Sequence, residues 1–297
     1  MSKIHVLQVT KDCNQDCFYC CRDISIKNKP FDEIKRDLES LVYVDQVIIT
    51  GGEPTLRSDL PKIIAHARNF AGNVHLQTNG INFSDMDYCR NIIRAGIGSV
   101  LVAFPSFDSN ICEKITNTEN VLDKKLEGLR NLAKFVDLKT GVVFVPSKLN
   151  YREFPNYVKR IAKISRDIYI QVSYTVRYDD KIGNKVNDMV MYSDLRDFIN
   201  KGAGICRLKN IEIRFDGIPL CFIPKYTRFA SDLKTRNYDF VEDFIGENRK
   251  EYDSDNYLGK EHLMTNECSS CRFCNICRGV YSHYVEVFGD REIKAIK

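Results

Sequence analysis

The stretch Thr10-Lys11-Asp12-Cys13-Asn14-Gln15-Asp16-Cys17-Phe18-Tyr19-Cys20 follows a short apolar run and decides how the rest of the chain is read. It is polar and turn-forming, which suits a loop wrapped around a bound group rather than a strand or helix. Three thiolates spaced C-x-x-x-C-x-x-C can hold three irons of a four-iron, four-sulfur cluster. With no fourth cysteine at a natural spacing, one iron stays open to a small molecule. The adjacent Cys21 keeps a second reading open, a four-cysteine zinc site. Further on, the apolar run Gln46-Val47-Ile48-Ile49-Thr50 leads into Gly51-Gly52-Glu53-Pro54, where Pro54 must stop the strand.

Working outward, short apolar runs alternate with helical patterns up to about residue 175. The expected strands are Ile4 to Val9, Gln46 to Thr50, Val74 to Thr78, Ser99 to Phe104, Thr140 to Val145 and Ile168 to Tyr174. Between them the apolar positions take helical spacing: Phe31, Ile34, Leu38 and Leu41; then Leu60, Ile63, Ile64, Ala67 and Phe70; later Leu122, Leu126, Leu129, Ala133 and Phe154, Tyr157, Val158, Ile161. Ser58 and Ser84 are expected N-caps, and Gly96 a C-terminal stop. Six strands alternating with helices argue an α/β fold with a parallel sheet. In such sheets the active site gathers at the C-terminal strand ends, where both motifs fall.

The cysteine loop and the Gly-Gly-Glu-Pro turn, in this order and at the ends of the first two strands, resemble the radical S-adenosylmethionine (radical SAM) enzymes. The resemblance implies a partial six-unit TIM-like barrel. It also implies a first cluster on Cys13, Cys17 and Cys20, and SAM chelating the open iron through its amino and carboxylate groups. Gly51 and Gly52 would let backbone carbonyls approach the SAM ammonium. Glu53 would take its charge, with Pro54 ending the motif, and Tyr19 occupies the position that lies against the adenine. Thr78 and Asn79 end the third strand, Ser106 follows the fourth and Asn150 the fifth, positions at which related enzymes touch the SAM ribose or carboxylate. Polar residues there also serve as simple helix caps. Phe104-Pro105-Ser106-Phe107-Asp108 departs from the usual serine-leucine-aspartate pattern.

Past residue 175 the character changes. Tyr178 to Asp188 reads as a crossover, and Tyr192 to Lys201 as a helix ending at Gly202. Asn210 to Phe215 and Ile218 to Ile223 read as a β-hairpin about Asp216-Gly217, with Cys221 on the returning strand. A long charged stretch precedes Cys268-Ser269-Ser270-Cys271-Arg272-Phe273-Cys274-Asn275-Ile276-Cys277. This resembles the twitch domain, a shortened SPASM domain, in which a cysteine-bearing hairpin and a cysteine knot hold one auxiliary iron-sulfur cluster. The resemblance implies Cys221, Cys268, Cys271 and Cys277 as its ligands. Cys206 is also placed where such domains carry a ligand, and Cys274 fits neither pattern. A ferredoxin-like run of four cysteines, or a zinc knot with His262 or His283, are the alternatives. The domains are accordingly expected at 1–190 and 191–297. Cys89 and Cys112 lie in helical patterns and read as buried apolar fillers.

Composition allows this reading. The 297 residues can bury a full core. Twelve cysteines without a signal peptide read as metal ligands in a reducing, cytoplasmic setting rather than as disulfides. No stretch has the ~18 apolar residues of a membrane span. The net charge of +4 comes from 44 basic and 40 acidic residues without a basic block, so nothing demands nucleic acid. The first strand begins near Met1, and no leader-peptide-binding or cobalamin domain is expected before it. The expected function is reductive cleavage of SAM with hydrogen abstraction from an unactivated carbon of a peptide. A radical dehydrogenase or transferase acting on a small metabolite is the alternative. Two four-iron clusters, SAM and a flavodoxin-type reductase are the expected cofactors and partner. A mere electron carrier would leave Gly51-Gly52-Glu53 without a role.

Overall fold

The computed structural model describes residues 2–20, 28–174, 188–234 and 238–297. Cys21 and residues 178–187 of the expected crossover lie outside them. In chain order the elements are β1 (Ser2–Thr10), α1 (Phe31–Glu39), β2 (Val44–Gly51), α2 (Leu60–Ala67), β3 (Ala71–Thr78), α3 (Met86–Arg94) and β4 (Ser99–Ala103). Next come α4 (Ser109–Thr116), α5 (Leu122–Leu132), β5 (Lys139–Phe144), α6 (Phe154–Ile164), β6 (Tyr169–Ser173), α7 (Tyr192–Lys209) and β7 (Ile213–Asp216). The last are β8 (Tyr238–Asp243), β9 (Lys250–Asp253), α8 (Ser254–Glu261), β10 (His262–Leu263), β11 (Val280–Tyr281) and α9 (Ser282–Phe288). All six expected strands are present. The chain forms two compact units: one of 1–104, 108–142 and 238–253, the other of 105–107, 143–237 and 254–297.

In the first unit the strand order is β4-β3-β2-β1-β8-β9. The pairs are parallel, with Val6 opposite Ile48 and Val47 opposite Val74, except β8 with β9, which is antiparallel. β8 was not legible in the sequence, because Tyr238-Asp239-Phe240-Val241-Glu242-Asp243 mixes acids with apolar residues; it pairs parallel to β1. Val47, Ile49, Val74, Leu76 and Leu7 are fully enclosed. Burying each such side chain stabilises the fold by roughly 1.5–3 kcal/mol. The helices cover the sheet with the apolar faces the periodicity marked, Ile34 and Leu38 on α1 and Leu60, Ile63, Ile64 and Ala67 on α2. The caps fall one residue later than expected. Asp59 precedes α2, and Asp85 caps α3 by accepting from the Asp87 and Tyr88 N–H groups. Gly96, with φ +99°, lies just past α3 as expected.

In the second unit β6 and β7 pair in parallel with Val172 opposite Phe215. The expected hairpin does not form. After Gly217, at φ +69°, the chain turns into Pro219 and a 3-10 turn over Leu220–Phe222. Two physical reasons stand out. Pro219 has no N–H for a ladder, and the free edge of β7 is taken by Ala230, opposite Phe215, with Ser231 N donating to Phe215 O at 2.7 Å. α7 also runs past Gly202 to a left-handed Asn210. Gly202 belongs inside it because a Cβ there would meet the Phe154 ring at 2.4 Å.

Candidate functional site

The cysteine loop belongs to the first unit and is clamped on two sides by backbone. Asp16 N donates to Thr116 O and Phe18 N to Ile115 O, both at 3.1 Å, so the C-terminal end of α4 carries the middle of the loop. On the other side Gly52 N donates to Thr10 O and Glu53 N to Asp12 O, both at 2.7 Å. The contact is so close that a Cβ on Gly51 would stand 2.1 Å from Thr10 O, and one on Gly52 2.1 Å from Asp12 O. Gly51 is also at φ +139°. The glycines are therefore required by the cysteine loop itself, a reason the sequence reading had assigned to the ligand. Cys13, Cys17 and Cys20 are half-buried along this clamped loop. Gln15 N points at Cys13 Sγ at 3.4 Å, the kind of donor that tunes a thiolate ligand. Tyr19 packs edge-on to Phe18, ring centroids 5.4 Å apart.

Glu53 is wholly enclosed, and its carboxylate holds protein groups. Oε1 accepts from Thr55 N (3.0 Å), Thr55 Oγ1 (2.5 Å) and Thr78 Oγ1 (2.7 Å), and Oε2 from Asn79 N (2.6 Å). Thr78 and Asn79 are thus brought together with the Gly-Gly-Glu-Pro turn at the end of β3. Asn79 also donates through Nδ2 to Asn14 Oδ1 at 2.6 Å, which ties the turn into the cysteine loop between its first two thiols.

One residue of this site was missed by the sequence reading. Lys125, on the buried face of α5 beside Leu122, Leu129 and Leu132, is completely enclosed. Its Nζ donates to Asn79 O at 2.7 Å and Ala103 O at 3.0 Å. Burial lowers its pKa, opposed by the nearby Cys112, Cys17, Glu53 and Cys13. The only sequence signal was a lysine inside an apolar helical stripe.

Ser106 and Asn150 lie in the second unit. Ser106 is fully buried. Asn150 accepts from Ser147 N (2.7 Å) and donates to Pro105 O and Val145 O, both at 3.0 Å, so its side chain fixes the turns after β4 and β5.

The second cysteine set also lies in the second unit. Cys221, Cys268, Cys271, Cys274 and Cys277 line one pocket, whose apolar walls include Met264, Phe273 and Ile293. Successive turns aim the knot inward: Cys271 N donates to Cys268 O, Cys274 N to Cys271 O and Cys277 N to Phe273 O. Burial pushes the Cys221 thiol up to about 12, with Cys277, Cys268 and Cys271 adding to it. Those three are the partners that the spacing had set beside Cys221. Cys206 is buried on α7 and does not line the pocket. Nor do His262, which stacks on Tyr281, and His283, paired with Glu286 at 3.1 Å. Cys89 and Cys112 are fully buried on α3 and α4, as expected.

A four-iron cluster takes each cysteine on a different iron, and all-thiol sets spread along a loop or around a pocket suit that arrangement.

Residues 7–161, just over half of the chain, match the radical SAM superfamily, and the chain belongs to that family. Among curated relatives, a probable GTP 3′,8-cyclase of Pyrococcus horikoshii is 31% identical over 149 residues, covering 48% of this chain and 44% of that protein. The 7,8-dihydro-6-hydroxymethylpterin dimethyltransferase of Methanocaldococcus jannaschii is 32% identical over 195 residues, covering 59% and 37%. The chain thus spans less than half the length of these two relatives. Among solved structures, Streptococcus suis SuiB bound to S-adenosylmethionine overlays 99% of this chain and 75% of its own, at TM-score 0.70 and 16% identity. That likeness shows the fold, the mostly parallel α/β sheet of the radical SAM partial barrel. The family implies a four-iron cluster and SAM. Among the described residues no helix is long and apolar enough to cross a membrane.

Proposed function

We propose that this chain is a radical SAM enzyme acting on an unactivated carbon of a peptide or peptide-like substrate, by cross-linking, epimerisation or dehydrogenation. Residues 1–190 hold the first cluster on Cys13, Cys17 and Cys20, and residues 191–297 form an auxiliary-cluster domain using Cys221, Cys268, Cys271 and Cys277. A four-iron cluster held by Cys13, Cys17 and Cys20 would supply the one-electron reduction that cleaves SAM to methionine and a 5′-deoxyadenosyl group able to take hydrogen from the substrate.

The observation that carries this reading is the clamp between the cysteine loop and Gly51-Gly52-Glu53-Pro54, closed by Gly52 N to Thr10 O and Glu53 N to Asp12 O. It sets three half-buried thiols beside a bare glycine backbone. Glu53 holds the turn and Asn79 in register, and its carboxyl group is suited to the SAM ammonium. Tyr19 offers an aromatic face for the adenine. Thr78 and Asn79 hold the end of β3 for the ribose and carboxylate. The apolar walls of the second pocket keep water from the auxiliary cluster.

SuiB has been solved with the precursor peptide SuiA, and that structure overlays 99% of this chain, which supports the peptide substrate. A second reading, a small-metabolite dehydrogenase or transferase, is supported by the GTP cyclase and pterin methyltransferase relatives. A flavodoxin-type reductase in the cytoplasm would supply the electron. Anaerobic incubation with SAM and dithionite tests the class: the enzyme makes 5′-deoxyadenosine, whereas an electron carrier makes none. A candidate peptide that gains or loses mass in that mixture supports the substrate, and turnover of a small metabolite alone refutes it.

A further inference from the structure

Lys125 occupies a place where the fold alone calls for an apolar residue. It lies three residues after Leu122 and four before Leu129 on the face of α5 turned into the core, with no exposed surface. Its Nζ donates to the carbonyls of Asn79 and Ala103, and among the described residues no carboxylate forms an ion pair with it. A buried ammonium without a counter-charge is strongly disfavoured, so its negative partner must be sought nearby. Glu53 is one neighbour; its carboxylate accepts from Thr55, Thr78 and Asn79, whereas Lys125 Nζ donates to two carbonyls. Cys112, Cys17 and Cys13 also lie close enough to Lys125 to act on its ammonium. Two of these belong to the three-cysteine loop. Asn79 links the two directly, since its carbonyl accepts from Lys125 while its side chain donates to Asn14 inside the loop.

We propose that Lys125 is the positioning and charge-compensating residue of the first cluster: its ammonium fixes the C-terminal ends of β3 and β4 and favours the negative charge the cluster gains on reduction. The proposal rests on the reading that Cys13, Cys17 and Cys20 carry a four-iron cluster. Such a cluster with three thiolates is anionic, and reduction adds one electron to it. A fixed positive charge in a low-dielectric wall makes that electron easier to accept.

The test is an anaerobic redox titration followed by electron paramagnetic resonance on the reconstituted protein. The first cluster is recognised as the signal that changes when SAM is added. Lys125→Met and Lys125→Gln should be at least tenfold harder to reduce, about 59 mV more negative for a one-electron couple, while Lys125→Arg stays near the wild-type potential. An uncharged variant that binds the cluster and keeps the wild-type potential overturns the proposal, even if its thermal stability falls. Should both uncharged variants fold without the cluster while Lys125→Arg retains it, the charge itself is required and the proposal stands. Loss of the cluster from all three folded variants shows that side-chain shape is what matters, and overturns it. Wild-type protein with no SAM-responsive iron signal would instead sink the functional reading beneath it.

Discussion

Replacing Glu53 by Gln tests whether the carboxylate is chiefly a ligand group or a structural tie. In the structure it accepts four hydrogen bonds without solvent access, three at Oε1 and one at Oε2 from Asn79 N at 2.6 Å. Glutamine can keep the three at its oxygen, but its amide nitrogen then faces the Asn79 N–H, and a buried donor loses its acceptor. A group left unsatisfied in this way costs about 1–3 kcal/mol. At about 2–4 °C per kcal/mol for a unit of this size, the unfolding midpoint should fall by roughly 2–12 °C without any ligand. Glu53→Ala leaves two backbone N–H groups bare, Thr55 and Asn79, and should cost about twice as much. The assay is anaerobic thermal unfolding followed by circular dichroism, with SAM binding measured below the midpoint. In Glu53→Gln, SAM should bind about tenfold or more weakly, as loss of a charge-assisted hydrogen bond worth roughly 1.5–3 kcal/mol implies. A Glu53→Gln melting curve superimposable on wild type would refute the structural tie. Unchanged SAM affinity would refute the ammonium contact.

Reconstituted protein should hold about eight irons, and changing Cys13, Cys17 and Cys20 together to Ala should remove about four, read by iron analysis; full retention refutes the ligand set. Cys271→Ala should lose about four irons and nearly all substrate turnover while still cleaving some SAM, whereas Cys274→Ala and Cys206→Ala keep both clusters; loss of iron from either reassigns the fourth ligand. Asp243 is buried, which alone would raise its pKa, but hydrogen bonds from His5 and Arg249 hold its carboxyl well below the usual range. A depressed carboxylate contributes stability that is present above its unfolded pKa of about 3.9 and is lost as pH falls below it. Asp243→Asn should therefore be less stable at neutral pH and show a flatter loss below about pH 4, and an acid-unfolding curve parallel to wild type would contradict this.

The six strands of the α/β core were legible because parallel strands covered on both faces read as continuous apolar runs, such as Val47-Ile48-Ile49 and Val100-Leu101-Val102. The helices followed from their apolar stripes. What escaped were segments whose partners lie far away in sequence. Tyr238 to Asp243 is too acidic to announce a strand, and only its neighbour β1 makes it one. The Asp-Gly pair after β7 signals a hairpin locally, but Ala230 already occupies the edge where the strand would return. The candidate ligands were named from their spacing and from the resemblance it carries. Lys125 was not, since a lysine in a helical stripe carries no signal until the carbonyls of Asn79 and Ala103 are seen beside it.

The glycine pair and the cysteine loop are informative together because they are one physical object. Either motif alone is common, a turn in one case and a metal loop in the other. β1 shifts register between Gln8 and Thr10, and this brings Thr10 opposite Gly51. The carbonyls of Thr10 and Asp12 then stand where side chains at positions 51 and 52 would have to be. Any residue other than glycine at either position would push the loop away by about 1 Å or more, and the Gly52 and Glu53 hydrogen bonds to Thr10 O and Asp12 O would be strained or lost. Asn79 extends the same logic to the third strand. Its N–H meets Glu53, its carbonyl meets Lys125 and its side chain meets Asn14, so a shift in any one strand end is transmitted to the thiols. In the proposed reading the spacing of the cysteines selects the atoms that would bind iron, while the backbone clamp around them holds the loop in place.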